Sequence, residues 1–284
     1  MNENRTNYIN TLCTKINEKL APAATVYHTL VEKHNDQLLD ALRFDIPDVK
    51  ISPVIYISKI LDEMPEIETA ADQIIEIYKK SDAPKIDIDE LNKNLKSKSW
   101  IKMNVLPKLT ASANDDDISI PFMDMTISFY VRIDDESTIT LKKSHTDLSP
   151  EELINFAKIN AVTNYKFRGM FETLREMQPN MADLLPGTED EQTWILSSKN
   201  GVFGATAIID DKILAEIANK LGSNLYILPS SIHECLILKS DFTSDPKALR
   251  EMVKSVNETK VAPNDYLSDS VFLYIKDKSH LQFA

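Results

Sequence analysis

Apolar residues recur at helical spacing in the first twenty positions. Tyr8, Ile9, Leu12, Ile16 and Leu20 fall on one face, which predicts a helix over about 5–20, stopped by Pro22. The stretch 25–31 is rich in β-branched and aromatic residues and reads as a strand. A further strand pair is expected within 38–57, ending on Val54-Ile55-Tyr56-Ile57. Ala70, Ala71, Ile74, Ile75 and Tyr78 then mark the inward face of a helix over 67–80. Residues 87–96 read as a short helix and 100–105 as a strand.

Beyond residue 110 the pattern alternates between the two periods. Segments 126–133 and 137–141 flank the acidic turn 134–136 and predict a hairpin. Ser149-Pro150-Glu151-Glu152 reads as a capping box opening a helix whose stripe is Leu153, Ile154, Ala157 and Ala161. Segments 193–198 and 203–209 flank Asn200-Gly201 and predict a second hairpin. A helix over 211–221 should bury Ile213, Leu214, Ile217 and Leu221 and close on Gly222. Strands 225–228 and 235–238 surround the polar connection 229–234. Asp245 and Pro246 start a last helix with Leu249, Met252, Val253 and Val256 inward, and 271–275 ends the fold as a strand. The hairpin-helix-hairpin-helix-strand order of this C-terminal unit predicts an α+β protein, mostly antiparallel sheet with helices packed on it. The small, polar and charged segment 111–117 is the expected linker, dividing the chain into an N-terminal α+β region 1–110 and a C-terminal α+β domain 111–284, with a single domain as the alternative.

Composition narrows the functions open to such a chain. All five glycines lie at or after Gly169, so a phosphate-cradling glycine loop has no place in the first 168 residues. The net charge of −12 repels phosphate backbones at long range, so nucleic acid is not an expected partner. No apolar run is long enough to span a membrane, and the first ten residues lack the basic and apolar regions of a secretory signal. Two cysteines far apart in sequence, Cys13 and Cys235, fit a reducing compartment, and the expected location is cytoplasmic.

Three segments, LYILPSSIHECLIL (225–238), DPKALREMVKSVNETKVAP (245–263) and LSDSVFLYIKD (267–277), resemble an uncharacterised clostridial family known only as domain of unknown function 5688. Weaker likeness runs through 51–60 and 148–160. The resemblance implies the same α+β fold and a bacterial cytosolic setting. It implies no activity, substrate or catalytic residue.

The candidate binding segment is Ser230, Ser231, His233 and Glu234, followed by Cys235. Two hydroxyls, an imidazole and a carboxylate between two strands are suited to holding a ligand, or to nucleophilic chemistry with Ser231 or Cys235 as nucleophile and His233 as base. Residues two apart on a strand have Cα atoms roughly 6.5–7 Å apart, which works against a direct Cys235–His233 pair. The competing reading has the serines satisfying turn backbone groups and His233 packing at the sheet edge.

Lys93, Lys96, Lys98, Lys102 and Lys108 around Trp100 form a basic run that either grips a nucleic-acid strand or is a solvated face balancing Asp87, Asp89 and Glu90. The acidic groups 115–117, 134–136 and 189–191 lack the spacing of a calcium loop. His28, His34, His145, His233 and His280 show no i, i+4 pair for zinc, so neither a metal site nor a cofactor is expected. Asn257-Glu258-Thr259 matches a glycosylation pattern by coincidence in a cytosolic protein. The leading reading is a non-catalytic binding or adaptor protein whose partner is another protein. The alternatives are a hydrolase or transferase using Ser231 or Cys235 with His233, and an acidic mimic of nucleic acid.

Overall fold

Helix α1 (Glu3–Leu20) forms where the apolar spacing places it, and Ile9, Leu12, Ile16 and Leu20 are all buried. The computed structural model describes residues 3–33, 37–47, 53–80, 88–133, 137–162, 164–179, 191–241 and 245–284. They fall into two compact units, 1–93 and 94–284.

In the first unit, β1 (Thr25–Lys33), β2 (Gln37–Asp45) and β3 (Val54–Tyr56) form an antiparallel sheet in that order, the strand pair expected within 38–57. Two short turns of helix, α2 (Ser58–Glu63), which the periodicity did not announce, lead into α3 (Ile67–Lys80). Val26, Leu42 and Phe44 from the sheet meet Leu12 and Ile16 of α1 and Ala70, Ala71 and Ile74 of α3 in one core. Tyr78 closes it, stacked on Phe44 with centroids 4.5 Å apart. Asn17 ties helix to sheet. Its Nδ2 donates to the Val26 carbonyl at 2.8 Å, and its Oδ1 accepts the Val26 N–H at 2.6 Å. Helix α4 (Ile88–Lys96) follows; Asp87, expected to open it, lies outside the described residues.

Early in the second unit a helix stands where a strand is expected. Residues 98–104 are helix α5 (Lys98–Asn104), and the strand expected from Trp100 begins only at Val105. Ser97 caps the helix by accepting the Trp100 N–H at 3.4 Å, and Asn104 Nδ2 donates to the Trp100 carbonyl at 2.8 Å. A cap and one amide outweigh weak β propensity in so short a stretch. Strand β4 (Val105–Thr110) and β5 (Ser119–Phe122) flank β6 (Met125–Arg132), on which β7 (Thr138–Thr140) also pairs, so the second half of this sheet is the expected hairpin. Helix α6 (Pro150–Ala161) carries the capping box: Ser149 Oγ accepts the Glu152 N–H, and Glu152 Oε2 accepts the Ser149 N–H. It lies on β4, with Leu153 and Ala157 fully buried.

A six-stranded antiparallel sheet completes this unit in the order β13-β12-β10-β11-β9-β8. Its strands are β8 (Tyr165–Gly169), β9 (Thr193–Ser198), β10 (Leu225–Ser231), β11 (Glu234–Lys239), β12 (Phe272–Ile275) and β13 (His280–Phe283). β12 is therefore not the last strand, since β13 pairs beyond it. Helix α7 (Met170–Met177) follows β8 directly. Helix α9 (Pro246–Lys260) packs Leu249 and Val253 on Tyr226, Leu228 and Leu238. Met252 and Val256, expected inward, are 46% and 40% exposed, and Asn257 is buried instead. Its amide donates to the Ser268 carbonyl and to Asp269 Oδ1, so burying a satisfied amide takes the place of burying a second apolar pair, and Asn257 is not displayed as a glycosylation acceptor.

The expected strand over 203–209 is instead a 3-10 helix, Gly204–Ile209. Phe203 turns the chain with a positive φ of 53°. Gly204 then lies so close to the backbone of Ser197, Ser198 and His233 that a side chain has no room. The segment is apolar because it is enclosed: Thr206 Oγ1 accepts the Leu109 N–H of β4 at 3.0 Å, and the Ala205 N–H reaches the Ile232 carbonyl. Helix α8 (Asp211–Leu221) leaves from it, burying Ile213, Leu214, Ile217 and Ala218, with Leu221 only half-buried. It ends on Gly222 at φ 69°, as expected.

Candidate functional site

The connection expected to span 229–234 contracts to two residues, Ile232 and His233, between β10 and β11. A bulge between Pro229 and Ser231 sets Ser231 opposite Glu234. Ser230 and Ser231 thus belong to a strand, and both are half-buried. Ser231 Oγ accepts the backbone N–H of His233 at 3.1 Å. The His233 carbonyl in turn accepts Ser197 Oγ–H at 2.9 Å, and the Ile232 N–H donates to the Asp265 carbonyl at 2.8 Å.

The imidazole of His233 is engaged on both nitrogens. Nδ1 accepts the Phe203 N–H at 3.3 Å, which leaves the proton of the neutral ring on Nε2, 3.4 Å from Asp265 Oδ1. The ring also stacks on Phe203, with centroids 6.1 Å apart. Ser231 therefore meets His233 through its main chain and not through its ring. Cys235 is fully buried with Sγ 4.0 Å from the Ala205 carbonyl. Burial, and next the Glu234 carboxylate, push its thiol far above the usual cysteine range, so the thiolate that a nucleophile needs is disfavoured. The corner brings together Ser231, His233 and Glu234 with Phe203 and Asp265. No spacing announces the last two, which arrive from 30 and 32 residues away in the chain.

The other candidate groups disperse. Lys96 donates to the Ser144 carbonyl, Lys98 lies 3.8 Å from Asp147, and Lys102 sits over the Phe156 ring at 4.9 Å. Lys108 is buried, donating to Thr140 Oγ1 at 2.8 Å and facing the Phe203 ring at 5.5 Å. The run is therefore not one face, and its partners are not the acids nearest in sequence. Asp116 pairs with Lys142 at 2.6 Å, pinning the acidic segment between β4 and β5. The hydrogen bond from Lys142 holds the Asp116 carboxyl below its usual range. Glu191 is buried and caps α7 by accepting the Phe171 N–H at 2.8 Å. Residues 134–136, 189–190 and His34 lie outside the described residues. Among the described residues no group of three or more His, Cys, Asp and Glu is placed to hold a metal ion. His28 is tied to Asp40 at 2.7 Å, with Arg5 on the other carboxylate oxygen at 3.2 Å, a cluster that only the β1–β2 register reveals.

A cleft opens beside α6, between the four-stranded sheet and the 3-10 segment. Its enclosed part is about 50 Å³, room for a few waters or one side chain. Leu106, Val162, Phe203 and Ile213 line it, and Val162, Tyr165 and Ile213 continue into an open trough. Lys158 stands at the enclosed part, and Lys199 and Lys212 stand along the trough. Of the two acids there, Glu216 accepts the Tyr165 hydroxyl at 2.8 Å, and Asp210 caps α8 through the Lys212 N–H at 2.9 Å. Nothing in the sequence pattern marks these lysines, which come from a helix, a turn and a helix start.

Among the described residues, no helix is long and apolar enough to cross a membrane. No curated protein and no solved structure matches the chain. A family profile does match, over residues 5–276 and so through both units, and on that extent the chain belongs to the family of unknown function DUF5688.

Proposed function

We propose that this protein is a non-catalytic adaptor of the bacterial cytosol whose partner is another protein. The observation that carries the reading is the apolar surface on α6 and its neighbour. Ile159 on α6 and Val162 just past its end are 68% and 44% exposed, and Met103, on the helix packed against α6, is 69% exposed. Large exposed apolar side chains on two packed helices, with Val162 also lining the cleft, are what a protein interface uses as its centre. The corner of β10 and β11 supports the same reading from the other side. There Ser231, His233 and Cys235 are each held in bonds or burial that maintain the fold. The two free thiols, Cys13 and Cys235, accord with a reducing compartment.

The test is reciprocal copurification of the tagged full-length chain with a candidate partner, followed by light scattering on the isolated complex. A complex of fixed stoichiometry is expected, and it should persist in Ser231→Ala. Labelling of Ser231 or Cys235 by a serine- or thiol-directed probe in the native chain, lost in His233→Ala, would sink the reading in favour of an enzyme.

A further inference from the structure

We propose that the cleft beside α6 binds an acidic peptide segment, with one apolar side chain in the enclosed part and carboxylates along the trough. The inference rests on the protein-binding reading and assigns it a place and a partner chemistry. Size comes first. About 50 Å³ of enclosed space accepts a single side chain, and its walls, among them Leu106, Val162, Phe203 and Ile213, are apolar. The open trough continuing past Val162 and Ile213 leaves space for the chain beyond such an anchor.

Charge then selects the segment. The ammonium groups of Lys158, Lys199 and Lys212 make no hydrogen bond or ion pair with any described residue. In contrast, many lysines of the chain are tied: Lys15 and Lys19 to Glu68, Lys80 to Glu76, and Lys142 to Asp116. The acids of the cleft, Asp210 and Glu216, already accept the Lys212 N–H and the Tyr165 hydroxyl. Beneath them the buried Lys108 sits 5.5 Å from the centre of the Phe203 ring, adding a fourth cation under the apolar floor. Three lysines against two carboxylates leave the cleft with a net positive charge in a chain carrying −12, a local field opposite to that of the molecule. A basic segment would be attracted to the bulk of the surface, whereas an acidic one meets complementary charge in this cleft.

The probe is a fluorescein-labelled twelve-residue peptide alternating aspartate and glutamate with leucine, measured by anisotropy with the full-length chain. A peptide of the same leucine spacing with lysine at every acid is the control. The acidic peptide should bind, weaken with added salt, and lose roughly tenfold or more in the triple variant Lys158→Glu, Lys199→Glu, Lys212→Glu. The triple variant to glutamine should lose less, and both should keep the wild-type unfolding transition, as the exposed Lys199 and Lys212 and the half-buried Lys158 permit. An acidic peptide that binds no better than the basic one, or equally well to the triple variant, would overturn the proposal. So would displacement of the peptide by tripolyphosphate with equal binding of tripolyphosphate alone, which would make this a small-anion site. A partner protein captured equally by wild type and triple variant would refute this cleft while leaving the adaptor reading standing; if no defined partner forms a complex with either, the adaptor reading fails as well.

Discussion

At the residue scale, the polar side chains of the β10–β11 corner stabilise the fold. Ser231→Ala removes the acceptor of the His233 N–H and should cost about 0.5–1.5 kcal/mol. His233→Ala leaves the Phe203 N–H without its acceptor and removes the stacked ring, so about 1–2 kcal/mol is expected. Denaturant unfolding of both variants checks this, and two neutral results would return the segment to the list of ligand sites. His145 makes a different prediction. Burial, and after it the charges of Lys96 and Lys142, hold its imidazole below the ordinary 6.5, with Asp116 pulling weakly the other way. Its Nδ1 accepts the Lys142 N–H at 3.2 Å, a role that protonation ends. The unfolded chain therefore binds the proton more readily, and stability present above about pH 6.5 falls as pH drops through the lower folded value. Melting temperature followed from pH 7.5 to 5 should decline less steeply in His145→Asn, whose amide oxygen can accept the same N–H without titrating.

At the scale of elements, the enclosed 3-10 segment shows where sequence periodicity stops being informative. The run Phe203-Gly204-Ala205-Thr206-Ala207-Ile208-Ile209 is apolar throughout, and a continuous apolar run reads equally as a buried strand or any other buried element. What decides against a strand is tertiary: Gly204 pressed on the backbone of Ser198 and His233, and Thr206 bonded to β4. Gly204→Ala should accordingly cost about 2 kcal/mol or more, since the atoms a methyl would meet are backbone and cannot rotate away. A mild effect in thermal unfolding would mean that the segment has room to shift. Where local chemistry suffices, reading was easier. The capping box at Ser149 and the Gly222 terminus formed as spaced, because their bonds lie within a few residues. The candidate site was legible only as far as Ser231, His233 and Glu234. Phe203 and Asp265 reach the same corner by long-range packing, and the lysines of the cleft are separated by 41 and 13 residues, with no local term to connect them.

At the scale of the whole molecule, the division of the chain changes the meaning of its charge. Cut after residue 110, the acidity is concentrated in the second part. Cut between 93 and 94, the first unit has 11 basic and 17 acidic residues and the second 21 and 27, so each carries −6. The difference is made by Lys96, Lys98, Lys102 and Lys108, which meet Ser144, Asp147, Phe156 and Thr140 of the second unit. The backbone argues for the same cut. Strand β4 pairs with β6 at six successive positions from Val105 to Thr110, and Asn160 of α6 donates to the carbonyls of Lys102 and Val105. A fragment 111–284 loses that strand, exposes the ladder of β6 and strips Leu153 and Ala157 of the surface they pack on, a loss far larger than the marginal stability of a domain. A fragment 88–284 keeps every one of these contacts. Expressed separately, 88–284 should unfold in one cooperative transition with its near-ultraviolet dichroism retained, while 111–284 should be insoluble or lack that signal. If 111–284 folds as well as 88–284, then β4 and α5 are dispensable and the boundary belongs in the polar segment after Thr110.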